Sequence, residues 1–262
     1  MTQEDIARQY GNASNLNARI QLHQRFSRNK YGWFRWVFDQ FDLPPNARSL
    51  ELGSGAGNLW LENLERIPPG WEVTLSDFSA GMSAQAQRNL QAGRSFYFQL
   101  IDANSWPLPL ESESSDAVIA NHMLYHVSAK QTLFSEIRRI LKPGGRFYAS
   151  TVGERHLIQM DELINQFNPE FTPIGDMTGP FTLENGADQL SGWFPQVEMR
   201  RYEDSLEVTE AAPLVDYVLS GWFDLGSATP ESLKQFVERE IGLRGGVYHI
   251  TKDSGIFTAI RE

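Results

Sequence analysis

The sequence predicts an α/β protein, a doubly wound and mostly parallel sheet with helices on both faces. Three observations predict it. Short apolar runs at 48–52, 72–76, 95–101, 115–120 and 145–151 are separated by stretches long enough for the crossover helices that parallel strands need. The first run enters three glycines spaced two apart, Gly53, Gly55 and Gly57. Asp77, Asp102 and Asn121 stand at or just past the ends of three other runs, and such sheets bind ligands outside the carboxyl ends of their strands.

The glycine turn comes first. Glycines between a strand and a helix admit positive φ and bring a ligand close to the backbone. A dinucleotide-binding turn needs G-x-G-x-x-G, with pyrophosphate on the following helix N-terminus. Here the third glycine comes one position early and Asn58 stands where that pattern needs glycine. The spacing is E-x-G-x-G-x-G, running from Glu51 through Ser54 to Gly57. The second strand ends in Asp77, placed like the ribose-binding acid of dinucleotide folds. Phe78 follows it and suits either an adenine face or a core.

The third run leads into Asp102-Ala103, and the fourth ends at Asn121 and His122. Ser128 with Gln131 reads as a capping box opening a helix with Leu133, Ile137 and Ile140 at helical spacing. Pro143-Gly144 ends that helix and precedes the fifth strand.

In this order the five motifs resemble the class I S-adenosylmethionine-dependent methyltransferases over residues 48–151. The branch they are most similar to includes ubiquinone and menaquinone biosynthesis enzymes and natural-product methyltransferases. The resemblance implies a Rossmann-like seven-stranded sheet and S-adenosyl-L-methionine as cofactor. It also implies cofactor contacts from Glu51, Gly53, Ser54, Gly55, Gly57, Asp77, Phe78 and Asn121. Asp102 would receive the adenine amine, the Ala103 N–H would meet a ring nitrogen, and Tyr10 would touch the methionine end.

Methyl transfer from a sulfonium is an in-line displacement that positioning alone accelerates greatly. A hydroxyl or carbon acid also needs a base, and His126 is the leading candidate, with Tyr125 and His122 beside it. No histidine pair stands at i, i+4 with a carboxylate, so no metal is expected. The fourth strand ends Asn-His-Met-Leu and lacks the Asn/Asp-Pro-Pro-Tyr/Phe that grips flat amino groups in nucleobase and glutamine N-methyltransferases.

Three regions are expected. Residues 1–44 form a helical lid, in which a helix from Leu16 to Arg28 sets Arg19, His23 and Phe26 on one face and a second helix begins at Trp33. Residues 45–153 form the cofactor-binding core. Residues 154–262 complete the sheet and insert helices near 157–168, 183–192, 210–222 and 230–242. Asp253-Ser254-Gly255 is expected to break the last segment, His249 to Ile260, into a strand pair or hairpin. Trp33, Trp36, Trp193 and Trp222 suit an apolar or aromatic acceptor as well as a core.

The net charge of −10 argues against a nucleic-acid partner. Residues 1–50 nonetheless hold seven Lys/Arg against four Asp/Glu, which fits an anionic ligand or a solvated face equally. Without cysteine, thiolate-based cytosine methylation is excluded and a cytoplasmic location is expected. No signal-peptide pattern or long apolar run appears, so no membrane partner is expected; the oligomeric state is monomer or homodimer. The sequence thus points to methylation of a small molecule at O, N or C. The alternative is a non-methylating protein that binds the same cofactor, as regulator or scaffold or through its sulfonium charge.

Overall fold

The structure is a computed structural model that describes residues 13–90, 96–170, 181–220 and 228–262. Among them one sheet holds β1 (Arg48–Leu52), β2 (Glu72–Asp77), β3 (Phe96–Leu100), β4 (Ser115–Asn121), β5 (Leu141–Val152), β6 (Gln196–Val208) and β7 (Tyr248–Ile260). Their order is β3-β2-β1-β4-β5-β7-β6. β1 to β5 are parallel and β7 is antiparallel to β5. The order switches direction between β1 and β4, the place where open α/β sheets form ligand crevices.

The helices are α1 (Ala13–Phe26), α2 (Trp33–Asp39), α3 (Asn58–Leu61), α4 (Ala80–Asn89), α5 (Lys130–Ile140), α6 (Ile158–Phe167), α7 (Gly186–Ser191), α8 (Ala211–Leu219) and α9 (Pro230–Leu243). The chain divides into two compact units. One comprises Met1–Gly32, Glu154–Met177 and Glu203–Asp253; the other comprises Trp33–Gly153, Thr178–Tyr202 and Ser254–Glu262.

In the second of these units β1, β2, β4 and β5 are covered on both faces, as in buried parallel sheets. Leu50, Leu52, Val118, Ala120, Phe147 and Phe257 pack on one face with Leu133, Phe134 and Ile137 of α5. Val73, Leu75, Ala117, Ile119, Tyr148 and Ile256 pack on the other with Val37 and Phe38 of α2 and Trp60 of α3. The period-two alternation along each strand therefore feeds two cores.

The first unit has its own core of Leu22, Phe26, Leu163, Leu214, Leu233 and Val237. The Arg19/His23/Phe26 face of α1 packs toward α8. Arg19 donates to Ser220 Oγ and to the Ser220 carbonyl at 2.9 and 2.8 Å, and His23 meets the Tyr217 ring edge-on at 5.9 Å. Asp204, whose side chain is fully buried, accepts from Lys252 Nζ at 2.6 Å, from the Asn29 N–H at 2.9 Å and from the Ser27 hydroxyl. Burial opposes its charge, but these bonds hold its carboxyl below the usual range.

Three local expectations are corrected. The segment from Tyr248 to Ile260 is one continuous strand and not a hairpin. Gly255 serves close packing, since a Cβ there would lie 2.6 Å from the Arg200 carbonyl oxygen. The capping box before α5 does not form. Ala129 is the N-cap, while Ser128 Oγ donates to Asn104 Oδ1 at 3.0 Å and Gln131 Oε1 accepts from Trp193 Nε1 at 2.6 Å. Tertiary partners outcompeted the local bonds. β5 also begins earlier than expected, directly after α5 at Leu141.

Candidate active site

Strand register gathers the motifs at one edge of the sheet. Leu52 pairs with Ser76 and Ala120, Asp77 with Leu100, and Asn121 with Ser150. Gly53, Asp77, Asp102 and Asn121 therefore lie at the carboxyl ends of four adjacent strands.

The three glycines have φ of +66°, +54° and +77°, the left-handed region that penalises other residues. Their surroundings differ. A Cβ on Gly53 would meet Met123 Cβ at 2.9 Å, and one on Gly57 would meet Leu90 Cδ1 at 2.9 Å. Around a Cβ on Gly55 no described atom lies within 4 Å. Gly53 and Gly57 thus permit packing of the turn on β4 and α4, whereas Gly55 faces open space suited to a ligand. Ser54 donates its N–H to the Ser76 carbonyl at 2.9 Å, tying the turn to β2.

Asp77 braces the same turn. Its Oδ2 accepts the Gly55 N–H at 2.9 Å and its Oδ1 the Ser79 N–H at 2.8 Å. Burial pushes its carboxyl up, and the backbone donors of Ser79, Gly55 and Phe78 pull it down, with a net rise. A carboxylate has about four acceptor sites, so these three donors leave room for a further one. Phe78, the next residue, is 46% exposed.

Glu51 is 2% exposed and its Oε2 accepts Trp60 Nε1–H at 2.7 Å. Burial raises its carboxyl to about 8; the Trp60 bond lowers it and the Asp77 charge raises it. Trp60 was not foreseen as its partner, because nothing local links positions nine apart across a turn. Asp102 first stabilises its own loop, accepting from the Asn104 N–H at 2.8 Å and Ser105 Oγ at 3.0 Å, and Ala103 is buried behind it. Asn104 Nδ2 also donates to the His126 carbonyl at 3.4 Å, which brings the third and fourth motifs together.

Past β4, His122 has φ +53° and donates its N–H to Ser150 Oγ at 3.0 Å. Its ring lies 4.8 Å from that of Trp33. Tyr125 and His126 occupy a 3-10 turn, rings edge-to-face at 4.6 Å. Ser150 was missed as a site residue, since nothing in Phe-Tyr-Ala-Ser-Thr marks it out. Tyr10 and Trp222 lie outside the described residues. Trp193 belongs to the core packed on α5. Among the described residues no group of His, Asp and Glu is arranged to hold a metal, and no helix is long and apolar enough to cross a membrane.

The sheet carries a glycine turn after β1 and an acid at the end of β2, and the glycine spacing is not that of a pyrophosphate-binding turn. Residues 50–149, less than half of the chain, match the methyltransferase domain family, and the fold matches that of solved S-adenosylmethionine-dependent methyltransferases. The cofactor of that family is S-adenosyl-L-methionine. The chain is 32% identical over 114 residues to the ubiquinone/menaquinone biosynthesis C-methyltransferase UbiE of Desulfotalea psychrophila, covering 44% of this chain and 45% of that protein. It thus spans less than half the length of that relative. In structure it is similar to an S-adenosylmethionine-dependent methyltransferase of Thermotoga maritima described as a possible histamine N-methyltransferase, with TM-score 0.57, 14% identity, and 98% and 100% of the two chains covered. A second likeness is to Haemonchus contortus phosphoethanolamine N-methyltransferase 2 in complex with S-adenosyl-L-methionine, with TM-score 0.51, 18% identity, and 94% and 52% covered.

Proposed function

We propose that the protein transfers a methyl group from S-adenosyl-L-methionine to a small, apolar or aromatic molecule. One observation carries the reading: the Asp77 carboxylate, bound to the Gly55 and Ser79 N–H groups, flanks the open space at Gly55 and stands beside the exposed Phe78 ring. A ribose diol on Asp77, an adenine on Phe78 and a methionine moiety over the glycine turn satisfy these groups together. The adenine edge meets Asp102 and Ala103, and Glu51 lies beneath the turn.

The sulfonium methyl then points toward the end of β4, which His122 follows directly and after which Tyr125 and His126 stand on a 3-10 turn. His126 is the candidate general base for a hydroxyl or carbon-acid acceptor, worth about 10²–10⁴-fold. The ubiquinone/menaquinone relatives favour a ring-bearing acceptor, and Trp33 and Trp36 supply aromatic surface near the exit of β4. The purified protein, incubated with methyl-labelled S-adenosyl-L-methionine and a metabolite extract, is expected to label at least one low-mass compound. Binding of the cofactor without label transfer to any compound would favour the non-methylating alternative.

A further inference from the structure

We propose that Asn121 is a specificity-determining residue whose amide is locked as a double donor and receives a carbonyl, phenolate or enolate oxygen of a ring-bearing methyl acceptor. The proposal rests on the methyl-transfer reading and narrows it, by disfavouring amine acceptors and moving Asn121 from the cofactor to the acceptor.

The orientation of the amide follows from hydrogen-bond chemistry. An indole N–H can only donate, and Trp33 Nε1 lies 3.3 Å from Asn121 Oδ1. Ser150 Oγ accepts the His122 N–H at 3.0 Å, so its own proton goes to Asn121 Oδ1, 2.6 Å away. Two donors converge on one amide atom, so that atom is the oxygen. Both of its lone pairs are taken. The two N–H groups of Nδ2 make no hydrogen bond among the described residues, and Asn121 is half-buried with solvent access.

Placement gives the donor pair its target. Asn121 ends β4, and since Ala120 pairs with Leu52, Asn121 lies next to Gly53 at the carboxyl ends of adjacent strands. Trp33, which fixes the amide, also walls the neighbourhood. Its ring lies 4.8 Å from His122, 5.4 Å from Trp36 and 5.4 Å from Tyr202. A flat apolar ring suits such a wall, and an oxygen on that ring suits the amide. An amine acceptor needs an atom to take its N–H, and the Asn121 carbonyl is already filled. An oxygen anion needs donors, and the amide has two that make no hydrogen bond among the described residues.

The test uses para-nitrophenol and its isostere para-nitroaniline as probes, titrated into the full chain saturated with S-adenosylhomocysteine. The expected result is that the phenol binds about ten-fold tighter than the aniline and with its ionisation moved to lower pH, read from phenolate absorbance. Asn121→Asp, which replaces donors by acceptors at equal size, should abolish both effects while S-adenosylhomocysteine still binds. Trp33→Phe, which keeps the wall but frees the amide to turn, should reduce the preference at least threefold. Equal or tighter aniline binding, no binding of either probe, or an unchanged preference in Asn121→Asp overturns the proposal. So does a loss of S-adenosylhomocysteine affinity in Asn121→Asp with the phenol preference retained, which returns the amide to the cofactor. Failure of the wild-type chain to bind S-adenosylhomocysteine overturns the methyl-transfer reading instead.

Discussion

Glu51 makes this protein's stability fall as pH rises, and replacing it with glutamine should remove that dependence. The carboxyl is 2% exposed, is raised to about 8 by burial, and has an ordinary value of 4.5. The folded state therefore binds this proton more tightly than the unfolded state does. Its stabilising contribution is complete below pH 4.5 and is lost as pH rises through about 8. Each tenfold in proton affinity is worth about 1.4 kcal/mol, so the loss across that window is of order 3–5 kcal/mol. Glu51→Gln stays neutral, and its side-chain carbonyl still accepts the Trp60 N–H. Urea unfolding of both proteins at half-unit steps from pH 5 to pH 9 gives a difference in which other titrating groups cancel. The variant should match wild type within about 1 kcal/mol near pH 5 and exceed it by roughly 3 kcal/mol or more near pH 9. A difference that stays flat with pH, or that grows toward low pH, would refute the reasoning.

Other perturbations separate binding from folding. Asp77→Ala should weaken S-adenosyl-L-methionine by about 1–3 kcal/mol in calorimetry, because it removes acceptors for two hydroxyls and the brace on Gly55; unchanged affinity would place the pocket elsewhere. Gly55→Val should abolish cofactor binding while costing about 1–2 kcal/mol of stability for its positive φ, whereas Gly57→Ala, which collides with Leu90, should chiefly lower the unfolding midpoint. Lys252→Met should cost about 3–5 kcal/mol by stranding the buried Asp204 charge, and adding Asp204→Asn should recover part of it; equal stability of all three proteins would contradict the buried pair. His126→Ala should lower turnover by about 10²-fold or more with cofactor affinity unchanged; full turnover would exclude it as the base.

The parallel core was legible because its signals are local. An apolar run of five to seven residues ending in glycine or an acid reads the same in sequence and in space, and β1 to β4 fall within a residue or two of the expected runs. What escaped was set by distant neighbours. Gly255 looks like a turn residue along the chain, and only the Arg200 backbone beside it reveals close strand packing. Ser128 and Gln131 have the spacing of a capping box, yet Asn104 and Trp193 claim their side chains. The orientation of the Asn121 amide depends on Trp33 and Ser150, each dozens of positions away, so no spacing rule reaches it.

The most direct test of the account is calorimetric titration of the purified chain with S-adenosyl-L-methionine and, separately, with NAD. The Gly53/Gly55/Gly57 spacing and the Asp77 brace predict saturable one-site binding of the sulfonium cofactor and none of the dinucleotide. Saturable NAD binding with no response to S-adenosyl-L-methionine would contradict it.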